Sequence, residues 1–198
     1  MKPIAFFDFD GTITTKDSFL EFIKFYRGTR RFYVGFLLHS PFLVAFKLKL
    51  IPNYTAKQKI LAHYFKGENI KRFQSQCDLF AREVLPSLFR PKALVEIDRL
   101  KNAGVRVVIV SASAENWIKA WADRENLELL GTRLEVSDEM ITGRIAGKNC
   151  YGEEKVCRIK EAINLEAYDD VYAYGDSSGD KEMLAIARHA FYKPFRQA

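Results

Sequence analysis

The chain has little of what builds cross-linked, repetitive or membrane-spanning proteins. Three cysteines in 198 residues, at positions 77, 150 and 157, are an odd number and too widely spread for a disulfide framework. Cys150 and Cys157 also lack the short paired spacing of a zinc site, so the reading is of reduced thiols. Six prolines and eleven glycines exclude a collagen-like or linker-dominated chain. No G-x-x-x-x-G-K-[ST] loop, G-x-G-x-x-G turn or G-x-S-x-G elbow occurs, and no nucleic-acid-binding motif is visible. The apolar run after Lys2 is broken at Asp8 and Asp10, which does not fit a secretory leader. The longest span candidate, 32–46, holds His39, Ser40 and Pro41 and falls short of the ~20 residues a spanning helix needs. These absences predict a soluble, cytoplasmic protein.

What is present is ample core-forming material, 48% hydrophobic against 28% charged, enough to exclude wholesale disorder. Charge and aromaticity are uneven. Residues 18–90 carry thirteen Lys/Arg against four Asp/Glu, and fifteen of the twenty-seven aromatics. The whole chain is only +6, so the remainder is slightly acidic. Composition thus divides the protein into a basic, aromatic insert at 18–90 and a core formed by 1–17 and 91–198.

Residues 4–9 read as a buried strand, and the β-branched run 105–110 as a strand covered on both faces. Helical spacing recurs over 19–25, 55–66, 69–85, 91–104, 115–126, 153–163 and 180–188. A hairpin is predicted over 132–146 with its turn at Ser137-Asp138, and short strands at 171–174 and 189–192. The alternation predicts an α/β fold, a doubly wound parallel sheet interrupted by a mainly helical cap. Ligands of such sheets sit beyond the carboxyl ends of the strands.

The chemistry-bearing residues fall at those ends. Asp8 and Asp10 follow the first strand two residues apart, which the pleat would point to one side. Asp176 and Asp180 lie in GDSSGD, after the strand at 171–174. Ser111 follows the strand at 105–110, and Lys155 lies at the start of a helix. Gathered carboxylates repel unless a cation offsets them, and an all-oxygen set suits Mg²⁺. Carboxylates, a hard cation, an ammonium and a hydroxyl together fit phosphoryl transfer.

Four segments, Asp8-Phe9-Asp10-Gly11-Thr12, VVIVSAS with Ser111, NCYGEEK with Lys155, and GDSSGD, stand in an order that resembles the haloacid dehalogenase superfamily of phosphohydrolases. The resemblance is to the branch holding phosphoserine phosphatases and phosphatidylglycerophosphatase C. It implies Asp8 as nucleophile through an aspartyl-phosphate and Asp10 as acid and base. It implies Mg²⁺ held by Asp8, the Asp10 backbone carbonyl and Asp176 with support from Asp180, and the phosphoryl group bound by Ser111 and Lys155. An acid at position 10 favours phosphate esters over other chemistries of the superfamily.

The cap matches less closely. Asp17 stands where phosphoserine phosphatases carry a substrate-binding glutamate, Lys59 roughly where they carry an arginine, and Gly179 where they carry an asparagine. The resemblance therefore leans to a lipid phosphate such as phosphatidylglycerol phosphate, with a small soluble phosphate ester or a catalytically inactive membrane-binding module as alternatives. Phe32, Tyr33, Phe36, Leu37, Leu38, Phe42, Leu43 and Phe46, bordered by Lys47, Lys49, Arg27, Arg30 and Arg31, fit three roles. They suit packing inside the cap, peripheral contact with the inner face of a membrane, or an interface between copies. The sequence leaves the choice, and the oligomeric state, open.

Overall fold

In the computed structural model, residues 2–38, 40 and 53–196 are described. Six strands form one sheet: β1 (Pro3–Phe7), β2 (Arg106–Ala114), β3 (Glu128–Ser137), β4 (Met140–Ala146), β5 (Asp170–Gly175) and β6 (His189–Tyr192), in the order β4-β3-β2-β1-β5-β6. All neighbours pair in parallel except the β3–β4 hairpin, whose turn residues Asp138 and Glu139 take positive φ. The predicted hairpin and parallel sheet are both present.

The described helices are α1 (Ser18–Arg27), α2 (Thr29–Leu38), α3 (Asn53–Phe65), α4 (Ile70–Glu83), α5 (Pro91–Asn102), α6 (Glu115–Arg124), α7 (Glu153–Ala162) and α8 (Lys181–Ala185). Alternation along β1 explains the double winding. Ala5 and Phe7 face one apolar cluster with Ile97 of α5 and Trp117 and Trp121 of α6. Ile4 and Phe6 face the other, with Ile159 of α7 and Met183 of α8. Strands apolar on both sides need helices on both sides.

Residues 18–90 leave and rejoin the sheet through adjacent strands of chain. Thr15 N–H donates to Leu88 O at 2.7 Å and Arg90 N–H to Ile13 O at 2.8 Å. Between these points α1 starts at Asp17, whose carboxylate accepts from Leu20 N–H, and α4 starts at Asn69, which caps Lys71 and Arg72 N–H. The inserted helices are continuous with the core rather than hung from it. Phe22 of α1 packs on Phe65, Phe73 and Phe80 and stacks on Trp117 of α6 with ring centres 5.2 Å apart.

The direction of winding reverses at β1: β2 and β3 lie on one side of it, β5 and β6 on the other. The crevice that a parallel sheet opens at such a reversal lies between the carboxyl ends of β1 and β5, which are followed by Asp8 and Asp176.

Candidate active site

Asp8 lies just past β1, whose last paired residue is Phe7, though its N–H still reaches Tyr174 O of β5 at 2.9 Å. The predicted strand over 4–9 is thus two residues too long. Asp8 and Asp10 both line one cleft of about 390 Å³, but a turn puts Asp10 there, not the pleat. The turn requires Gly11: its φ is +85°, and a Cβ there would fall 2.5 Å from an Asp176 carboxylate oxygen.

Asp8, Asp176 and Asp180 are buried and offer ligand atoms within 4.8 Å of one another. The Thr12 hydroxyl lies 3.0 Å from Asp8 Oδ2 and 3.4 Å from Asp176 Oδ1, so these two oxygens face a common point. Lys155 Nζ is fully buried and donates to Asp8 Oδ1 at 2.6 Å, Asp180 Oδ1 at 2.7 Å and Val110 O at 2.8 Å. Arg196, carried by a tail whose Phe195 stacks on Tyr174 of β5, donates to Asp176 Oδ2. Two cations thus already brace the acidic cluster.

Burial pushes the Asp8 carboxyl up to about 7, with Lys155 pulling against it. Asp180 is also disfavoured by burial, but Lys155 and the N–H groups of Asp176 and Ser177 outweigh that and hold it below the usual carboxylate range. Burial alone would lower Lys155; the carboxylates of Asp8 and Asp180 hold it above the ordinary ammonium range. A buried pair of this kind persists because every member is bonded. The all-oxygen donors fit a small hard cation such as Mg²⁺.

Asp10 is held apart from that cluster. Its Oδ1 accepts from Ser18 N–H at 2.6 Å, at the amino end of α1, and its Oδ2 accepts from Ser113 Oγ at 2.5 Å. Trp117 Nε1 donates to Ser18 Oγ, which in turn reaches Ser113 Oγ, both at 3.2 Å. The Asp10 carboxylate therefore does not belong with the metal-type donors, and only its backbone carbonyl is left for the ligand role that the resemblance implies.

Ser111 is not beyond its strand. β2 runs on to Ala114 through a register shift against β3 between Ser111 and Ala114, so Ser111 is fully buried, its Oγ accepting from Ser113 N–H at 3.0 Å. From this segment it is Ser113 whose hydroxyl lies on the cleft wall, where Ser177 and Tyr151 also stand. Lys59 is exposed and is not on the cleft; Lys57 is. Two residues along a helix turn about 200° around its axis, so an error of two in placing a lysine on α3 puts it on the opposite face. Lys57 Nζ donates to Ala112 O at 2.5 Å and Asn149 Oδ1 at 3.2 Å, joining the insert to the core. Withdrawal from water lowers its ammonium, against the pull of Asp17 and Asp10.

Asp17 does line the cleft, though it also caps α1, and withdrawal from water followed by the neighbouring Asp10 charge pushes it up to about 6. Gly179 faces the ring of Tyr151, which occupies the space a Cβ would need. Lys57, Ser18, Ser113 and Arg196 were not among the sequence candidates. Ser113 had a signal, the repeated serine of VSAS, whereas Arg196 had none.

Fold and site place the chain among hydrolases built on a parallel sheet, with a buried carboxylate–lysine cluster at the sheet's reversal. The sequence pattern of the haloacid dehalogenase-like hydrolases matches residues 5–185, and the chain belongs to that family. It is 38% identical over 194 residues to the Caulobacter vibrioides protein CicA, covering 96% of this chain and 85% of that one. It is 30% identical over 195 residues to a probable phosphatase of Mycobacterium tuberculosis, covering 96% and 68%. Among solved structures, a Bordetella pertussis protein of unknown function superposes with a TM-score of 0.79 at 20% identity, over 94% of this chain and 87% of that one. A substrate-bound phosphoserine phosphatase superposes with 0.64 at 20% identity, over 97% and 86%. At that identity the two structures speak for the fold alone.

Proposed function

We propose that the protein hydrolyses a phosphate monoester through an aspartyl-phosphate on Asp8, with Mg²⁺ as cofactor and a membrane-derived phosphate ester such as phosphatidylglycerol phosphate as substrate. The observation that carries the mechanism is the buried Asp8–Lys155–Asp180 bridge set against Asp176 in the crevice between β1 and β5.

Asp8 Oδ2, which Lys155 leaves open, attacks phosphorus and displaces the alkoxide. Asp10, fixed by Ser18 and Ser113, protonates that leaving oxygen and then takes a proton from the water that cleaves the acyl phosphate. Lys155, kept charged by its two carboxylates, offsets charge on Asp8 and the transferred group. Ser111, given its burial, acts through the backbone of the Ser111–Ser113 segment, and Ser113 supplies the hydroxyl nearer the cleft. Asp8 and Asp176, with the Asp10 carbonyl, would hold Mg²⁺, and Asp180, whose oxygens are taken by Lys155 and backbone N–H groups, would steady the loop. Bound Mg²⁺ would supply charge neutralisation at the phosphoryl oxygens.

Residues 18–90 serve as the cap over the leaving group, with Asp17 and Lys57 facing it. Phe19, Leu20, Phe36 and Ile60 also line the cleft, and this apolar wall supports a hydrophobic alcohol over a small zwitterion. Free Cys77, Cys150 and Cys157 accord with a reducing, cytoplasmic setting. No helix among the described residues is long and apolar enough to cross a membrane.

The test is phosphate release from phosphatidylglycerol phosphate, phosphoserine, sugar phosphates and nucleotides, each with Mg²⁺ and with chelator. Chelator-sensitive turnover concentrated on the lipid, and lost in Asp8→Asn, is the expected result. Turnover confined to a soluble ester removes the lipid reading, and activity surviving in Asp8→Asn removes the nucleophile.

A further inference from the structure

Helix α2 presents two faces of different use. Phe32 and Gly35 turn inward and are buried, and the Phe32 carbonyl accepts from Tyr64 Oη at 2.7 Å. Phe36, on the same side, lines the active-site cleft. The outward side is as apolar as the inward one: Tyr33 is 62% exposed, Val34 58%, Leu37 74% and Leu38 64%. Four large apolar groups contiguous on one short helix form the kind of surface that marks a contact site.

Beside that face the charge is of one sign. Arg27, Arg30, Arg31 and His63 line a surface pocket of about 300 Å³ together with Val34 and Leu38. Arg27 is engaged by Glu68 and the Tyr64 carbonyl. Arg30 and Arg31 are exposed, and among the described residues no carboxylate forms an ion pair with either. No acidic residue occurs in α2 itself.

We infer that α2 docks on an anionic phospholipid bilayer, its Tyr33–Leu38 face entering the headgroup boundary and Arg30 and Arg31 meeting lipid phosphates. Charge selects this occupant over a second copy of the chain. A two-fold contact through the same face would bring the unpaired arginines of both copies together, whereas an anionic surface complements them. The geometry gives the docking a purpose. Leu37 faces outward next to Phe36 in the cleft wall, so a docked α2 sets the cleft at the level of the headgroups. This deepens the lipid-phosphate reading and rests on it for what the docked cleft meets. Phe42, Leu43, Phe46, Lys47 and Lys49, which sequence alone grouped with this surface, lie outside the described residues.

The test is flotation of the full chain with vesicles of phosphatidylcholine alone and of phosphatidylcholine enriched in phosphatidylglycerol, alongside turnover of p-nitrophenyl phosphate and sedimentation velocity. Binding is expected only to the anionic vesicles and should fall with salt. Arg30→Glu/Arg31→Glu should weaken it by about tenfold or more, since each basic residue near such a surface is worth roughly 1 kcal/mol. Leu37→Glu/Leu38→Glu should do the same while leaving soluble-ester turnover intact, which also shows that the variant is folded. Equal binding to both vesicles, no binding, or binding untouched by these substitutions overturns the inference. So does self-association that Leu37→Glu/Leu38→Glu abolishes, which would make the face an interface between copies. Vesicle binding in a protein that hydrolyses no ester would leave the docking standing and sink the phosphatase reading instead.

Discussion

Lys155 ties the buried acidic cluster together. Its ammonium is 1% exposed and is the shared partner of Asp8 and Asp180, so its removal leaves two buried carboxylates facing each other. Lys155→Met is therefore expected to destabilise the fold by about 3 kcal/mol or more, the usual consequence of breaking a buried pair from one side. Adding Asp8→Asn should recover part of that loss, because one of the stranded charges disappears. Denaturant melts of the single and double variants measure this, and additive losses would show that the two groups are not coupled. These side chains differ in how far the local sequence marks them. Asp8, Lys155, Asp176 and Asp180 were legible because each belongs to a short pattern. Lys57 and Arg196 were not, because nothing local distinguishes a lysine on one face of α3 from Lys59 on the other, or an arginine in a tail from any other.

At the junction of α1, α3 and α4, one acid adds polar bonds to the aromatic packing of Phe22. Glu68 accepts from Tyr26 Oη and from Arg27, each at 2.6 Å. Burial pushes its carboxyl up, but these two partners outweigh that and hold it below the usual carboxylate range. A depressed acid stabilises the fold above the ordinary glutamate value of 4.5, and that contribution disappears as pH falls through the lower folded-state value. Glu68→Gln should thus be less stable than the parent by about 1–2 kcal/mol at neutral pH, as expected for charge-assisted hydrogen bonds. The difference should shrink as pH falls below 4.5 and close once Glu68 is protonated in the folded protein, and thermal melts across pH check it; a constant difference would place the effect in packing. Periodicity located all three helices to within a few residues, because each buries one face. It did not locate the junction, since Glu68 finds Tyr26 across 42 residues of chain.

Across the whole molecule, insert and core share one apolar cluster. Phe19 and Phe22 stack on Trp117, and Phe9, Phe89 and Trp121 continue the contact toward β1. Residues 18–90 are thus expected to unfold with the sheet. Urea melts followed by tryptophan fluorescence and by far-ultraviolet circular dichroism should coincide in one transition. Phe22→Ala should shift both by about 3–5 kcal/mol, the range for emptying a large aromatic site. Two separated transitions, with only the first moved by Phe22→Ala, would show that the insert is an independent unit.

The doubly wound sheet and the three charged motifs, around Asp8 and Asp10, around Lys155, and around Asp176 and Asp180, were determined by the sequence itself, because both are local. A strand buried on both faces must be continuously apolar, and the residues that follow the strands of a parallel sheet fall at the carboxyl edge where ligands bind. Tertiary structure alone decided which of those groups meet. It carried β2 past Ser111 and so buried that hydroxyl, turned Lys59 away and Lys57 inward, and drew the Asp10 carboxylate to Ser18 and Ser113 rather than to Asp176. Each of these outcomes depends on a register shift, a helix rotation or a contact across some hundred residues, and none of those distances is written in the order of neighbouring amino acids.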